Sequence, residues 1–136
     1  MTSIAIDIVI KNWISENIKL SQPATQESLK ATEQILGFQF PEDFKNFYFQ
    51  LDGFADWDWT KNMFSIWPLA RTLEEYHHES DKNFIVFADY LINAIQFGFV
   101  KGKDGVFKNS GESHELIANT FSEAILLINS DADILY

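Results

Sequence analysis

Residues 37–53 read GFQFPEDFKNFYFQLDG. Glycine accepts the left-handed conformation, so Gly37 suits the end of a preceding helix. Phe40 is held extended by the ring of Pro41 that follows it. Pro41 suits the first turn of the next helix, where a backbone N–H is not required. Glu42 and Asp43 then meet the positive end of that helix's dipole. Phe40, Phe44, Phe47, Tyr48 and Leu51 recur at helical spacing and make one apolar face. Asp52-Gly53 ends the run. The stretch therefore predicts a helix end, an extended link and a short aromatic helix closed by a second glycine.

Upstream, residues 4–20 begin with IAIDIVI, which alone would suit a strand. The longer pattern of Ile6, Val9, Ile10, Trp13, Ile14 and Ile18 follows helical spacing instead and predicts an amphipathic helix. Ser21-Gln22-Pro23 breaks it. Thr25 suits an N-cap, and Leu29, Thr32, Ile35 and Leu36 form the inner side of a second helix that stops at Gly37. Downstream, residues 53–62, GFADWDWTKN, have no period and read as a loop in which Trp57 and Trp59 alternate with Asp56 and Asp58. A short strand over 63–68 and a helix over 69–78, with Glu74 and Glu75 outward, follow; 79–83 is a polar turn.

The period then changes to two. Residues 84–88 form an apolar strand that Asp89-Tyr90 is expected to interrupt. Over 94–100, Ile95, Phe97 and Phe99 point one way, and Ala94, Gln96, Gly98 and Val100 the other. Asp104-Gly105 is a hairpin signal with Val106-Phe107 on the return strand. Asn109-Ser110-Gly111 turns again towards a strand over 116–118. Thr120-Phe121-Ser122-Glu123 has capping-box spacing, and Phe121, Ala124, Ile125 and Ile128 give the last helix its inner face. The acidic end, SDADILY, is expected to fray. Helices, then strands, then a helix imply an α+β single domain over 1–136, a mainly antiparallel sheet with N-terminal helices and a C-terminal helix packed on it.

A chain of 136 residues is long enough to bury a core without staples, and the absence of cysteine excludes disulfides and thiolate zinc sites. A net charge of −10 argues against a phosphate-backbone partner and suits either a basic protein partner or a merely solvated surface. No apolar run reaches membrane-spanning length. The amino terminus lacks a basic leader pattern, which points to a cytoplasmic protein.

Catalytic patterns are thin. His77-His78-Glu79 is a cluster, but adjacent histidines on a helix diverge by about 100° and do not make a zinc pair. Asp56-x-Asp58 and Asp131-x-Asp133 lack the glycine and distal glutamate of calcium loops. The glycines from Gly98 to Gly105 join strand to strand, without the helix N-terminus that holds phosphate. No nucleophile motif is present, so neither metal, cofactor nor catalytic residue is expected. Binding chemistry is denser. Segment 52–81 carries seven acidic residues against Lys61 and Arg71. Asp52, Asp56, Trp57, Asp58, Trp59, Glu74 and Glu75 are the candidate partner-binding residues, since aromatic anchors ringed by charge make interface hot spots. Inward packing of Trp57 or Trp59 is the alternative. Trp67, ahead of proline, and the aromatics of 37–53 read as core.

The run Gly37, Phe40, Pro41, Phe44, Phe47, Tyr48, Leu51 and Gly53 resembles the signature of the SUKH superfamily, the Smi/Knr-type domains. Glu33 near the end of the preceding helix, Ile66-Trp67-Pro68-Leu69, the strand over 85–89 and Ala118-Asn119-Thr120-Phe121-Ser122-Glu123 fit the same order, so the likeness covers residues 13–130. The double Asp-Trp run after Gly53 is not part of that signature. The resemblance implies a compact α+β domain without catalysis or cofactor. It further implies an immunity protein that binds and neutralises a bacterial protein toxin, expected to be basic and nuclease-like, or a regulatory interaction module with an endogenous partner. Monomer and homodimer both remain open.

Overall fold

The computed structural model describes residues 4–111 and 113–136. Part of the amino-terminal leader reading falls on residues 1–3, outside the described residues. Helix α1 (Ile4–Ser15) is followed by α2 (Gln26–Leu36) and α3 (Glu42–Tyr48), then β1 (Phe64–Ile66) and α4 (Leu69–His78). Strands β2 (Phe84–Tyr90), β3 (Ile95–Val100), β4 (Val106–Asn109) and β5 (His114–Ala118) complete the sheet before α5 (Phe121–Asn129). The strands lie in the order β1-β2-β3-β4-β5, every neighbouring pair antiparallel, so the sheet is a meander in chain order. Fold class and element order follow the sequence reading.

The helix boundaries have local causes. Thr25 caps α2, its hydroxyl accepting from Ser28 N at 3.0 Å while the Ser28 hydroxyl accepts from Thr25 N at 3.1 Å. Gly37 ends α2 in the left-handed conformation, φ 64°, and donates to the Glu33 carbonyl. Pro41 stands one residue ahead of α3 in extended geometry, φ −60° and ψ 155°, instead of inside its first turn. The missing N–H is harmless at either place. Glu33 bridges the corner between α2 and α3: its carboxylate accepts from Phe40 N at 2.7 Å and lies 3.8 Å from Lys45 Nζ. The Asp43 carboxylate accepts from Ser122 N at 2.8 Å and so ties α3 to the start of α5. Tyr48 donates its buried hydroxyl to the Trp67 carbonyl at 2.6 Å. Burial, and secondarily Asp52, raise its pKa well above the usual tyrosine value.

The main core joins Ile6, Val9 and Trp13 of α1, the aromatics of α3, and Ile85, Phe87, Phe97 and Phe99 of the sheet. Phe44 stacks on Phe40 and Tyr48 at 4.0 and 4.1 Å and meets Phe121 edge-on at 4.9 Å. A smaller cluster of Phe84, Val100 and Phe107, with Val86 against it, occupies the other face of the sheet. The alternation along β3 therefore holds. Gly98 lets β3 approach β2 closely, since a Cβ there would stand 2.1 Å from the Ile85 carbonyl oxygen.

Several expectations need correction. Ile14 and Ile35 are 57% and 50% exposed. The inner stripes are Ile6, Val9, Trp13 and Leu29, Thr32, Leu36, and the neighbouring isoleucines sit about 100° off them. Asp89-Tyr90 does not interrupt β2, which continues through Tyr90 because Asp89 is buried against polar partners and Tyr90 packs on Phe64. The carboxyl-terminal residues dock: a short turn, Asp133–Leu135, buries Leu135, and the Tyr136 ring meets Tyr90 at 4.9 Å.

Candidate interaction surface

β1 is an edge strand, and unpaired strand edges invite foreign pairing. Here the segment after Gly53 covers it. Phe54 N donates to the Ile66 carbonyl at 2.7 Å and Thr60 N to the Phe64 carbonyl at 2.8 Å. Ala55 N donates to the Lys19 carbonyl at 2.7 Å, which fixes the segment on its other side. Between these anchors the chain makes a tight turn in which Asp56 and Trp57 both have positive φ, 55° and 60°. That conformation is costly for residues with a Cβ.

The turn lifts Trp57 onto α4. The Arg71 guanidinium carbon lies 3.9 Å from the Trp57 ring centroid and 4.2 Å from that of Trp67. The cation is thus held between two indoles, a favourable arrangement when desolvated. Arg71 Nη2 stands 3.6 Å from Asp89 Oδ1, and the same oxygen accepts from Trp67 Nε1 at 2.7 Å. Burial lowers the Arg71 pKa, while Asp89 and then Glu75 act against that shift. Trp67 is fully buried; Trp57 keeps 58% of its surface exposed and Trp59 keeps 47%.

A cleft of about 200 Å³ opens beside this stack, with Asp56, Trp57, Pro68, Ala70, Arg71 and Glu74 on its walls. Three of the seven sequence-predicted residues, Asp56, Trp57 and Glu74, therefore converge. Glu75 is half-buried further along the α4 surface. Asp58 serves the loop itself: Oδ2 accepts from Lys19 N at 2.8 Å, and its backbone carbonyl accepts from Ser65 Oγ at 2.7 Å. Exposed Asp56 pairs with Lys19 Nζ at 3.6 Å. Among the described residues, no group of three His, Asp or Glu side chains is placed to hold a metal ion.

Asp52 is half-buried, and its Oδ1 accepts from Leu69 N at 2.8 Å, capping the first turn of α4. Burial raises its pKa, and the Leu69 hydrogen bond opposes that rise. A raised folded pKa means that the folded state holds this proton more tightly than the unfolded chain. The group's contribution to stability is then full below the ordinary aspartate pKa and is lost as pH rises through the raised value. Asp52→Asn keeps the acceptor and removes the ionisation, so stability at neutral pH is expected to hold or rise, and the loss of stability that Asp52 contributes as pH rises from about 4 is expected to disappear. Asp52→Ala loses the cap and is expected to cost about 1 kcal/mol. Urea unfolding of the three proteins from pH 4 to pH 7 separates these outcomes; an alanine variant as stable as the asparagine one would remove the capping role.

Sequence reasoning missed Arg71 and Asp89 as organisers of this surface. Arg71 stood out only as one of two basic residues in an acidic segment, and that isolation was the available signal.

The molecule is an α+β domain in which helices flank a five-stranded antiparallel meander and an aromatic, acid-flanked turn covers its edge strand. It belongs to the SMI1 / KNR4 family (SUKH-1), whose family model matches residues 23–126. No curated relative matches the chain. Helix α1 lies ahead of the matched segment, yet its Ile6, Val9 and Trp13 belong to the same core.

Proposed function

We propose that this SUKH-1 protein is a non-catalytic cytoplasmic immunity protein that neutralises a basic, nuclease-type protein toxin by covering it. The observation that carries the reading is Trp57: a half-exposed indole fixed on a buried arginine, with the carboxylates of Asp56 and Glu74 in the same cleft. An aromatic side chain already ordered before binding loses little entropy on docking. Acidic groups around it steer a basic partner and raise its association rate.

The test is co-expression with a basic, nuclease-type toxin from the same genome, followed by binding kinetics on the purified pair. Wild type is expected to rescue growth. Trp57→Ala is expected to speed dissociation about 30-fold, equivalent to about 2 kcal/mol. Asp56→Asn with Glu74→Gln is expected to slow association and to weaken its dependence on salt. A folded Trp57→Ala protein with wild-type dissociation would remove this tryptophan as the anchor, and failure of wild type to protect would remove the immunity reading.

A further inference from the structure

Asp89 joins two surface turns that are distant in sequence. Its Oδ1 holds Trp67 Nε1 and faces Arg71, on which Trp57 rests; its Oδ2 accepts from Asn93 N at 2.7 Å. Asn93 belongs to the tip of the β2–β3 hairpin. That tip also touches the segment after Trp59, where Leu91 N donates to the Met63 carbonyl at 2.9 Å. One buried carboxylate, 3% exposed, thus sets the position of both turns.

Backbone and side-chain observations agree on what these turns do. Of the eight non-glycine residues with positive φ among the described residues, six are Asp56, Trp57, Met63, Leu91, Ile92 and Asn93. Ile92 is β-branched and sits at φ 52°, a conformation such residues avoid. Asparagine or glycine at 91 and 92 would relieve the strain and remove apolar surface together. Instead the chain presents Leu91 and Ile92 to solvent, 47% and 71% exposed. Strain held in place by a buried hydrogen-bond network is characteristic of binding sites.

We propose that the 55–59 turn and the 91–93 tip form one docking surface, positioned by Asp89, for a basic protein segment in which a lysine or arginine stands beside apolar side chains. The cation has a place at the mouth of the cleft, its stem along Trp57 and Pro68 and its charge beside Glu74, with Asp56 shared with Lys19 and the Arg71 charge facing Asp89. The apolar neighbours have Trp59, Leu91 and Ile92. The occupant is the toxin segment of the preceding reading, on which this inference rests.

The first probe is a synthetic peptide of alternating lysine and leucine, titrated into ¹⁵N-labelled protein. Resonances of 55–59, 91–93 and the Trp57 indole are expected to shift along one saturation curve. Shifts confined to one turn, separate saturation of the two, or binding elsewhere would overturn the proposal. Leu91→Ser with Ile92→Ser leaves the buried core untouched and is expected to weaken the peptide at least about tenfold. Asp89→Asn reads the positioning role through a double-mutant cycle of Trp57→Ala and Ile92→Ser. The two changes are expected to be non-additive with Asp89 and additive with asparagine. Additivity in both backgrounds would show Asp89 to be merely structural. If Asp89→Asn does not fold, the serine variants still decide the surface. Protection by wild type that survives both serine changes but is lost in Trp57→Ala would exclude the hairpin tip while leaving the immunity reading intact. A peptide that engages both turns of a protein giving no protection would do the reverse.

Discussion

Gly53→Ala is expected to destabilise the fold by about 4 kcal/mol, against about 1 kcal/mol for Gly37→Ala. Both glycines have nearly the same left-handed backbone, φ 66° and 64°. A Cβ in that conformation carries its own penalty, which the two substitutions share. Their surroundings differ. At Gly37 an added Cβ would meet only the flexible end of Lys101, 3.7 Å away. At Gly53 it would lie 2.4 Å from the Trp67 carbonyl carbon and 2.5 Å from Pro68 N. Those are backbone atoms, and they hold the Phe54–Ile66 and Tyr48–Trp67 hydrogen bonds in place. The chain can relieve the overlap only by moving the segment that covers β1. Domains of this size are stable by about 5–15 kcal/mol, so the Gly53 variant is expected to lose a large share of its folded population on modest heating. Urea titrations of the two variants against wild type measure the difference directly. Equal losses would show that the dihedral alone matters and that the contact with Trp67-Pro68 yields freely.

The comparison also marks what sequence can and cannot show. Both glycines read as stops from their neighbours, because a left-handed residue is a local requirement. The near-contact of Gly53 with Trp67 joins residues far apart in the chain and leaves no local trace. The same division runs through the molecule. The α5 face of Phe121, Ala124, Ile125 and Ile128 was readable because its period and cap are local, and the structure buries all four. Ile14 and Ile35 fall outside the buried stripe although each adjoins one of its residues, because periodicity resolves a helix face only to about one residue. Asp89 looks like a strand break in sequence, because an aspartate in an apolar run looks solvated until Trp67 Nε1 and Arg71 are known to meet it. In the candidate surface, composition picked out the acidic tryptophan segment. Only the fold separates Asp56, Trp57 and Glu74, which line one cleft, from Asp52 and Asp58, whose oxygens hold backbone N–H groups.

Phe44→Ala is expected to cost about 3–5 kcal/mol, close to the largest values for deleting a buried aromatic. Phe44 is 1% exposed and lies at the centre of the packing between α3, α5 and the sheet. It stacks on Phe40 and Tyr48 and meets the edges of Phe121, Phe99 and Phe87 at 4.9, 5.7 and 6.4 Å. Its removal leaves a void and ends five ring contacts. Neighbouring rings have little room to collapse, since Tyr48 is held by the Trp67 carbonyl and Phe40 N by Glu33. Phe49 on the same helix end is 41% exposed, and Phe49→Ala is expected to stay within about 0.5 kcal/mol of wild type. Unfolding curves for the two variants test the assignment of 37–53 to the core, and similar losses would refute it. Binding tests it from the other side. Phe44 has no place in the Trp57 cleft, so the folded fraction of Phe44→Ala is expected to release the proposed partner at the wild-type rate. Trp57→Ala is expected to do the opposite, keeping stability near wild type and losing the partner. A Phe44→Ala protein that is stable but releases the proposed partner quickly would move the partner surface onto the aromatic helix itself.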